Sequence, residues 1–257
     1  MRKVSSVDKN GKVLFVNDKG TGTTIGTKDD CLAYGYNYTG AACYIQNNNK
    51  SIQTKGNTNL DKGNKIRGVN NNVLGKGNWV QAKNVSVIGN TNKAYYGSDN
   101  STLIGRNAYA ENYGELAYSC AVTPDRAKFS FLQFDGVTTN DTPTELFLGG
   151  IDGFRFFINE NYESGYAIDY TAVGINPSSN DIFTSYGHAT YKFTNRTLTE
   201  VGHEKSTTIR DSSANHYDID FSPIVNTPDY IEVKVKGDTG HTVYWTVDLK
   251  VTEVRYA

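Results

Sequence analysis

Between Asn71 and Ala117 an aliphatic residue followed by glycine keeps returning, as Leu74–Gly75, Ile88–Gly89 and Ile104–Gly105. A flexible linker has no use for the aliphatics, and a helix interior does not tolerate the glycines. The spacing is regular. Gly56 and Gly63 stand seven apart, as do Gly68 and Gly75; Gly75 and Gly89 stand fourteen apart, and Gly89, Gly97 and Gly105 step by eight. Each beat therefore reads as a short strand closed by a tight turn, with Gly or Asn in the left-handed backbone position that the turn requires. The turn glycines are Gly75, Gly89, Gly97 and Gly105. Strands of about four or five residues at this spacing describe a solenoid or β-roll. Of the 27 Asn, 19 precede residue 117, whereas all five Pro (Pro124, Pro143, Pro177, Pro223, Pro228) follow it. A stacked ladder in which every backbone N–H donates leaves no room for Pro.

Each beat offers only one or two aliphatics, a stripe and not a core. Repeats that cannot bury their apolar face alone must stack on neighbours. The reading that follows is a homotrimer about a three-fold axis, with Leu74, Val87, Ile88, Leu103 and Ile104 forming the shared core of a shaft. A disordered tract would lack the aromatics Trp79, Tyr95, Tyr96, Tyr109 and Tyr113 found here.

Beyond residue 117 the pattern changes to period two. FSFLQF (129–134), TELFLG (144–149), FRFFI (154–158), YAIDYTAV (166–173), ATYKF (189–193), YDIDFS (217–222), YIEVKVKG (230–237) and HTVYWTVDLKVTEV (241–254) all read as strands. The last two read as a hairpin, Ile231, Val233 and Val235 opposite Val243, Trp245, Val247 and Leu249, turning at Gly237, Asp238 and Gly240. Many short strands without helical periodicity predict an antiparallel β-sandwich, jelly-roll-like. The fold class is all-β: a trimeric β-roll shaft with a C-terminal sandwich tip.

The stretch VLGKGNWVQAKNVSVIGN…STLIGRNAYAENYG resembles the head repeat of trimeric autotransporter adhesins, which also occurs in phage fibre shafts. That repeat runs aliphatic-Gly-x-x-(Ser/Asn)-x-Ala. Ile104, Gly105, Asn107, Ala108 and Ala110 match it well, Leu74, Gly75, Asn78 and Ala82 more loosely, and Ile25–Gly26 and Tyr34–Gly35 are degenerate copies. The resemblance implies a trimeric left-handed β-roll. GELAYS (114–119), GVTTNDTPTELFLGG (136–150) and VYWTVDLKVTEV (243–254) resemble a C-terminal domain of phage fibres, although TPDRAKFS (123–130) stands where a charged Gly-Asp-Ala-Gln-like turn is usual. Residues 21–116 are read as shaft and 117–257 as tip, and the short N-terminal stretch 1–20, with its one strand-like KVLFV (12–16), as an anchoring segment.

A formal net charge of −1 offers no basic field for nucleic acid. No apolar run approaches the roughly 18 residues that membrane insertion needs. MRKVSSVDKNGK lacks the apolar core of a signal peptide, so synthesis in the host bacterial cytoplasm is expected, with Cys31, Cys43 and Cys120 reduced. His188, His203, His216 and His241 share no metal spacing, and GHEKST (202–207) is not HExxH because Thr207 stands in the last position. DKGTGTTIG (18–26) has Ile25 where a dinucleotide fingerprint needs Gly, GKGN (75–78) is not a phosphate loop, and no nucleophile elbow occurs. Asp218 and Asp220 share a strand face about 6.5–7 Å apart, but alternating Asp on a solvent face is ordinary. No catalytic residue, metal or cofactor is expected, and no enzyme. Abundant Tyr with Asn and Asp fits sugar binding; Tyr162, Tyr166 and Tyr186 are the candidate glycan contacts, and the alternation places Trp245 inside.

The expected function is a structural or adhesive, non-enzymatic fibre of a bacteriophage virion, on head or tail. Its partners would be itself, a capsid or tail protein through the N-terminal segment, and bacterial surface glycan or protein. The alternatives are a receptor-binding tail-fibre tip with specific glycan recognition, and a glycan-cleaving tailspike.

Overall fold

A computed structural model of the chain describes residues 2–8, 12–17, 19–34, 36–44, 57–59, 63–210, 216–226 and 228–256. Gly35 and Gly56, read above as beats, lie outside the described residues.

The N-terminal residues form their own small unit. Lys12–Val16 is central in an antiparallel sheet, pairing with Val4–Val7, Thr23–Ile25 and Cys43–Tyr44, and Asn37–Tyr38 follows at the edge. One helical turn, Lys28–Ala33, begins at a capping box: the Thr27 hydroxyl accepts the Asp30 N–H, and the Asp30 carboxylate accepts the Thr27 N–H at 3.0 Å. Val13, Phe15, Cys31 and Cys43 are the buried core of this unit. Two expectations are corrected here. Cys31 and Cys43 form a disulfide, which joins the helix to a strand, while Cys120 is free. Residues 21–44 belong with the preceding strands and not with the shaft, since Ile25 pairs with Leu14.

The solenoid proper, described at residues 57–59 and 63–119, stacks four parallel coils of two strands each, with Leu116–Ser119 added to the first sheet. One sheet stacks Thr58–Asn59, Asn72–Leu74, Ser86–Asn90, Thr102–Arg106 and Leu116–Ser119; the other stacks Lys65–Ile66, Trp79–Val80, Lys93–Ala94 and Tyr109–Ala110. The seven-to-eight-residue beat is therefore half a coil. In register along the first sheet, Val73, Val87, Leu103 and Ala117 form an inward row without exposure. With Val80, Ala82, Ala94, Ala108 and Ala110 they make a thin core of small residues. This corrects the reading of Val87 and Leu103, which are buried inside the single chain. Leu74, Ile88 and Ile104 point outward in the neighbouring row, which ends at Tyr118; Ile88 is 51% and Tyr118 48% exposed.

The asparagines explain themselves at the corners of the coils. Asn64, Asn78 and Asn92 stack; each Oδ1 accepts the N–H one coil on (Asn78, Asn92 and Ala108, at 2.8, 2.9 and 2.8 Å), and each Nδ2 donates to the carbonyl of Gly75, Gly89 or Gly105. Asn57 and Asn71 form a second such ladder, Asn71 accepting the Val85 N–H. Buried backbone groups at the turns are thus paired by amide side chains. Gly89 has φ +127°, and a Cβ there would lie 1.9 Å from the Gly105 oxygen, so the coil spacing itself demands glycine.

Leu116–Ser119 also pairs antiparallel with Ala127–Thr138, so the solenoid sheet runs on into the tip. The large tip sheet continues through Val243–Tyr256, Glu163–Asn176, Asp181–Thr194 and Thr197–Arg210. A smaller sheet is built on Tyr230–Lys236, flanked by Asp218–Ile224 on one side and Thr144–Leu148 and Phe156–Phe157 on the other. Side chains of both sheets share one buried cluster, in which the Tyr170 and Phe221 rings lie 4.5 Å apart. The expected hairpin is corrected: Tyr230–Lys236 and Val243–Tyr256 do not pair with each other, the first lying between Asp218–Ile224 and Thr144–Leu148 and the second between Ala127–Thr138 and Glu163–Asn176. Both inward rows were read properly, but alternation specifies a face and not a partner. The strand Thr197–Arg210 went unread because it is polar, with Leu198 its one buried side chain among those described.

Candidate functional site

Where the last coil meets the tip, the inward face turns from apolar to charged. Along VTEVRY the alternation that buries Val251 also buries Glu253 and Arg255, and Lys128 is the cross-strand partner of Glu253. From the solenoid come Glu111 and Glu115. Glu115 occupies a corner of the asparagine-like ladder, its Oε2 accepting the N–H groups of Glu111 and Asn112 at 2.9 and 3.1 Å and its own N–H donating to Ser101.

Lys128 Nζ lies 2.6 Å from Glu115, 3.4 Å from Glu253 and 3.8 Å from Glu111. Arg255 binds Glu253 through Nε at 2.5 Å and Glu111 through Nη2. The Tyr109 ring lies 4.6 Å from Lys128 Nζ and 4.1 Å from the Arg255 guanidinium, which also faces Tyr162 at 4.8 Å. Three carboxylates thus meet two cations in a site nearly shut to water.

Burial pushes the Glu253 carboxyl above its ordinary range, although Lys128 and Arg255 pull it down. At Glu111 burial acts in the same sense, but Lys128 and Arg255 outweigh it and the pKa falls. Burial lowers Lys128, and the three carboxylates more than reverse that. The Tyr109 hydroxyl is raised by burial and by Glu253. Among the described residues, the Tyr109 hydroxyl and Arg255 Nη1 are buried without a hydrogen-bond partner.

Beside Glu111 the surface opens into a cleft of about 350 Å³, lined by Tyr95 and Tyr96 of the solenoid and by Phe157–Asn161 and Pro228 of the tip. Tyr96 is 88% exposed on a turn, while Tyr95 stands edge-on to Trp79 at 6.1 Å. Asn159 Nδ2 donates to Glu111, and both the N–H and Nδ2 of Asn161 donate to Asn159 Oδ1 at 3.0 Å. Glu160 accepts the Asp229 N–H at 2.8 Å. The wall of the cleft is therefore fixed from behind.

The structure scatters the predicted glycan contacts. Tyr162 is half-buried against Arg255. Tyr166 is corrected: it is 2% exposed, and its hydroxyl lies between Ser164 and Glu253. Tyr186 is exposed on the outer face of the large sheet, cross-strand from Thr171. Trp245 lies inside, its Nε1 donating to Thr138 at 2.9 Å. Asp218 is paired with Lys205, and His188 with Asp169. The cleft residues Tyr95, Tyr96, Glu111, Asn159 and Glu160 were missed, though Glu253 and Arg255 in the inward phase of a strand were a legible signal.

No family model matches the chain, and no curated protein does. Solved structures with a similar arrangement include the tailspike protein of Acinetobacter baumannii bacteriophage Fri1, a capsular polysaccharide depolymerase, at 12% identity, TM-score 0.34, covering 74% of this chain and 41% of that one. The tailspike of Acinetobacter baumannii phage AM24 is similar at 7% identity and TM-score 0.28, covering 74% of this chain and 42% of that one. The chain spans less than half the length of either tailspike. Since the first of these neighbours is an enzyme, the expectation that this chain is not one is withdrawn.

Proposed function

We propose that the chain is a fibre segment on the surface of a bacteriophage virion, trimeric through its solenoid, which holds the tip toward bacterial surface glycan or protein. The sequence resemblance to fibre shafts and fibre tips supports the setting. The observation that carries the trimer is the outward row Leu74, Ile88, Ile104 and Tyr118, continued across the sheet junction by Phe129. The solenoid already has its own core, so this second apolar row is available to other copies of the chain. Three such rows meeting on an axis would cover one another, as closed symmetry requires. In this reading the disulfide-linked N-terminal unit attaches the fibre to a capsid or tail protein. No helix among the described residues is long and apolar enough to cross a membrane.

Gold-labelled antibody raised against the chain tests the setting. Label on intact virions, at the head or at the tail, is the expected result; virions of the producing phage that carry none would contradict it.

A further inference from the structure

We propose that the cleft between the last coil and the tip binds a saccharide that carries no acid group, a neutral or amino-bearing sugar. This deepens the adhesive reading above and rests on it for its biological setting.

The walls supply what a sugar needs. Tyr96 offers a ring face that is 88% exposed, and Tyr95 lies next to it. Aromatic faces pack against the C–H face of a pyranose, and short amides and carboxylates take its hydroxyls. Those groups are Asn159, Glu160 and Asn161 of the tip and Glu111 of the last coil. The site is also preformed: Asn159 is tied to Glu111 and Asn161 to Asn159, while Glu160 is anchored on the Asp229 N–H. A preformed site loses little freedom on binding.

Charge selects the class of sugar. The lining contains Glu111 and Glu160 and no Lys or Arg. Lys128 and Arg255 behind it are 1% exposed at their side chains and already committed to Glu111, Glu115 and Glu253. The cluster as a whole keeps an excess of one carboxylate. A uronic or sialic acid entering here would meet the Glu160 and Glu111 carboxylates, while the two cations paired with Glu111 lie buried behind the wall and do not line the cleft. An amine or an acetamido N–H would meet acceptors.

Saturation-transfer and titration NMR on the whole chain, with chitotetraose, its deacetylated amino counterpart and tetragalacturonic acid as probes, test the proposal. The expected result is binding of the first two and at least tenfold weaker binding of the third. Tyr96→Ala should weaken the first two tenfold or more with an unchanged melting temperature, and Glu160→Lys should narrow or invert the preference. The proposal is overturned if tetragalacturonic acid binds as well as the others, if Tyr96→Ala changes nothing, or if none of the three binds. A trimeric, virion-borne chain that binds none of them sinks this inference alone. A monomeric chain that binds as expected sinks the fibre reading and leaves the cleft standing.

Discussion

Lys128 Nζ lies 2.6 Å from Glu115 Oε1, with side-chain exposures of 1% and 0%, and this pair ties the tip to the last coil of the solenoid. Removing the cation alone leaves Glu115 buried without its partner, and such losses cost about 3–5 kcal/mol. Lys128→Met should therefore lower stability by that amount in urea denaturation. Lys205→Met, which breaks the exposed pair with Asp218, should cost at most about 1 kcal/mol. Equal effects would show that the joint is not a desolvated network.

Asn78 should matter far more than its neighbour on the same coil. Asn78→Ala removes the acceptor of the buried Asn92 N–H and the donor to the half-buried Gly89 carbonyl. With each unmade bond costing about 1–3 kcal/mol, a loss of roughly 2–4 kcal/mol is expected. Exposed Asn72→Ala should stay within about 0.5 kcal/mol. Thermal melts of the two variants decide this.

Gly89→Ala should be among the most damaging single-methyl changes in the chain. The added Cβ would sit 1.9 Å from the Gly105 oxygen at φ +127°. Backbone strain alone costs about 1–3 kcal/mol, and the coil must also part to make room. Gly114→Ala, at φ +66° with nothing within 4 Å, carries only the strain. Comparing the urea midpoints of the two variants separates stacking from conformation.

Asp30 gives the N-terminal unit an acid limit. Its carboxylate accepts the Arg2 N–H at 3.1 Å and the N–H and hydroxyl of Thr27, with the Arg2 guanidinium 3.6 Å away, which holds its pKa down to about 2. Because the folded pKa is depressed from 3.8, the contribution is complete above about 3.8 and is lost as pH falls through about 2. An NMR titration of the Asp30 side chain should show a midpoint near 2; one near 3.8 would contradict the capping geometry.

These residues also show how much the sequence disclosed. The glycine beat was readable because Gly75, Gly89 and Gly105 obey a steric rule that repeats along the chain. The inward rows of the tip were readable because alternation is local. What stayed hidden depends on which elements meet. Cys31 and Cys43 pair only once a helix and a strand are brought together, and the partner of Tyr230–Lys236 is set by layer packing. The cleft draws Tyr95 and Tyr96 from a coil and Asn159 and Glu160 from a distant loop, so no local pattern marks it. Glu253 and Arg255 stood in the inward phase, and two charges there were the signal of a buried joint.

The outward row Leu74, Ile88 and Ile104 is where the account is most exposed to test. Sedimentation equilibrium of the whole chain should give a mass three times the 28.3 kDa of one copy, and Ile88→Lys with Ile104→Lys should yield folded single chains, since neither side chain belongs to the solenoid's own core. A wild-type chain that sediments as a monomer at micromolar concentration would contradict the trimeric fibre.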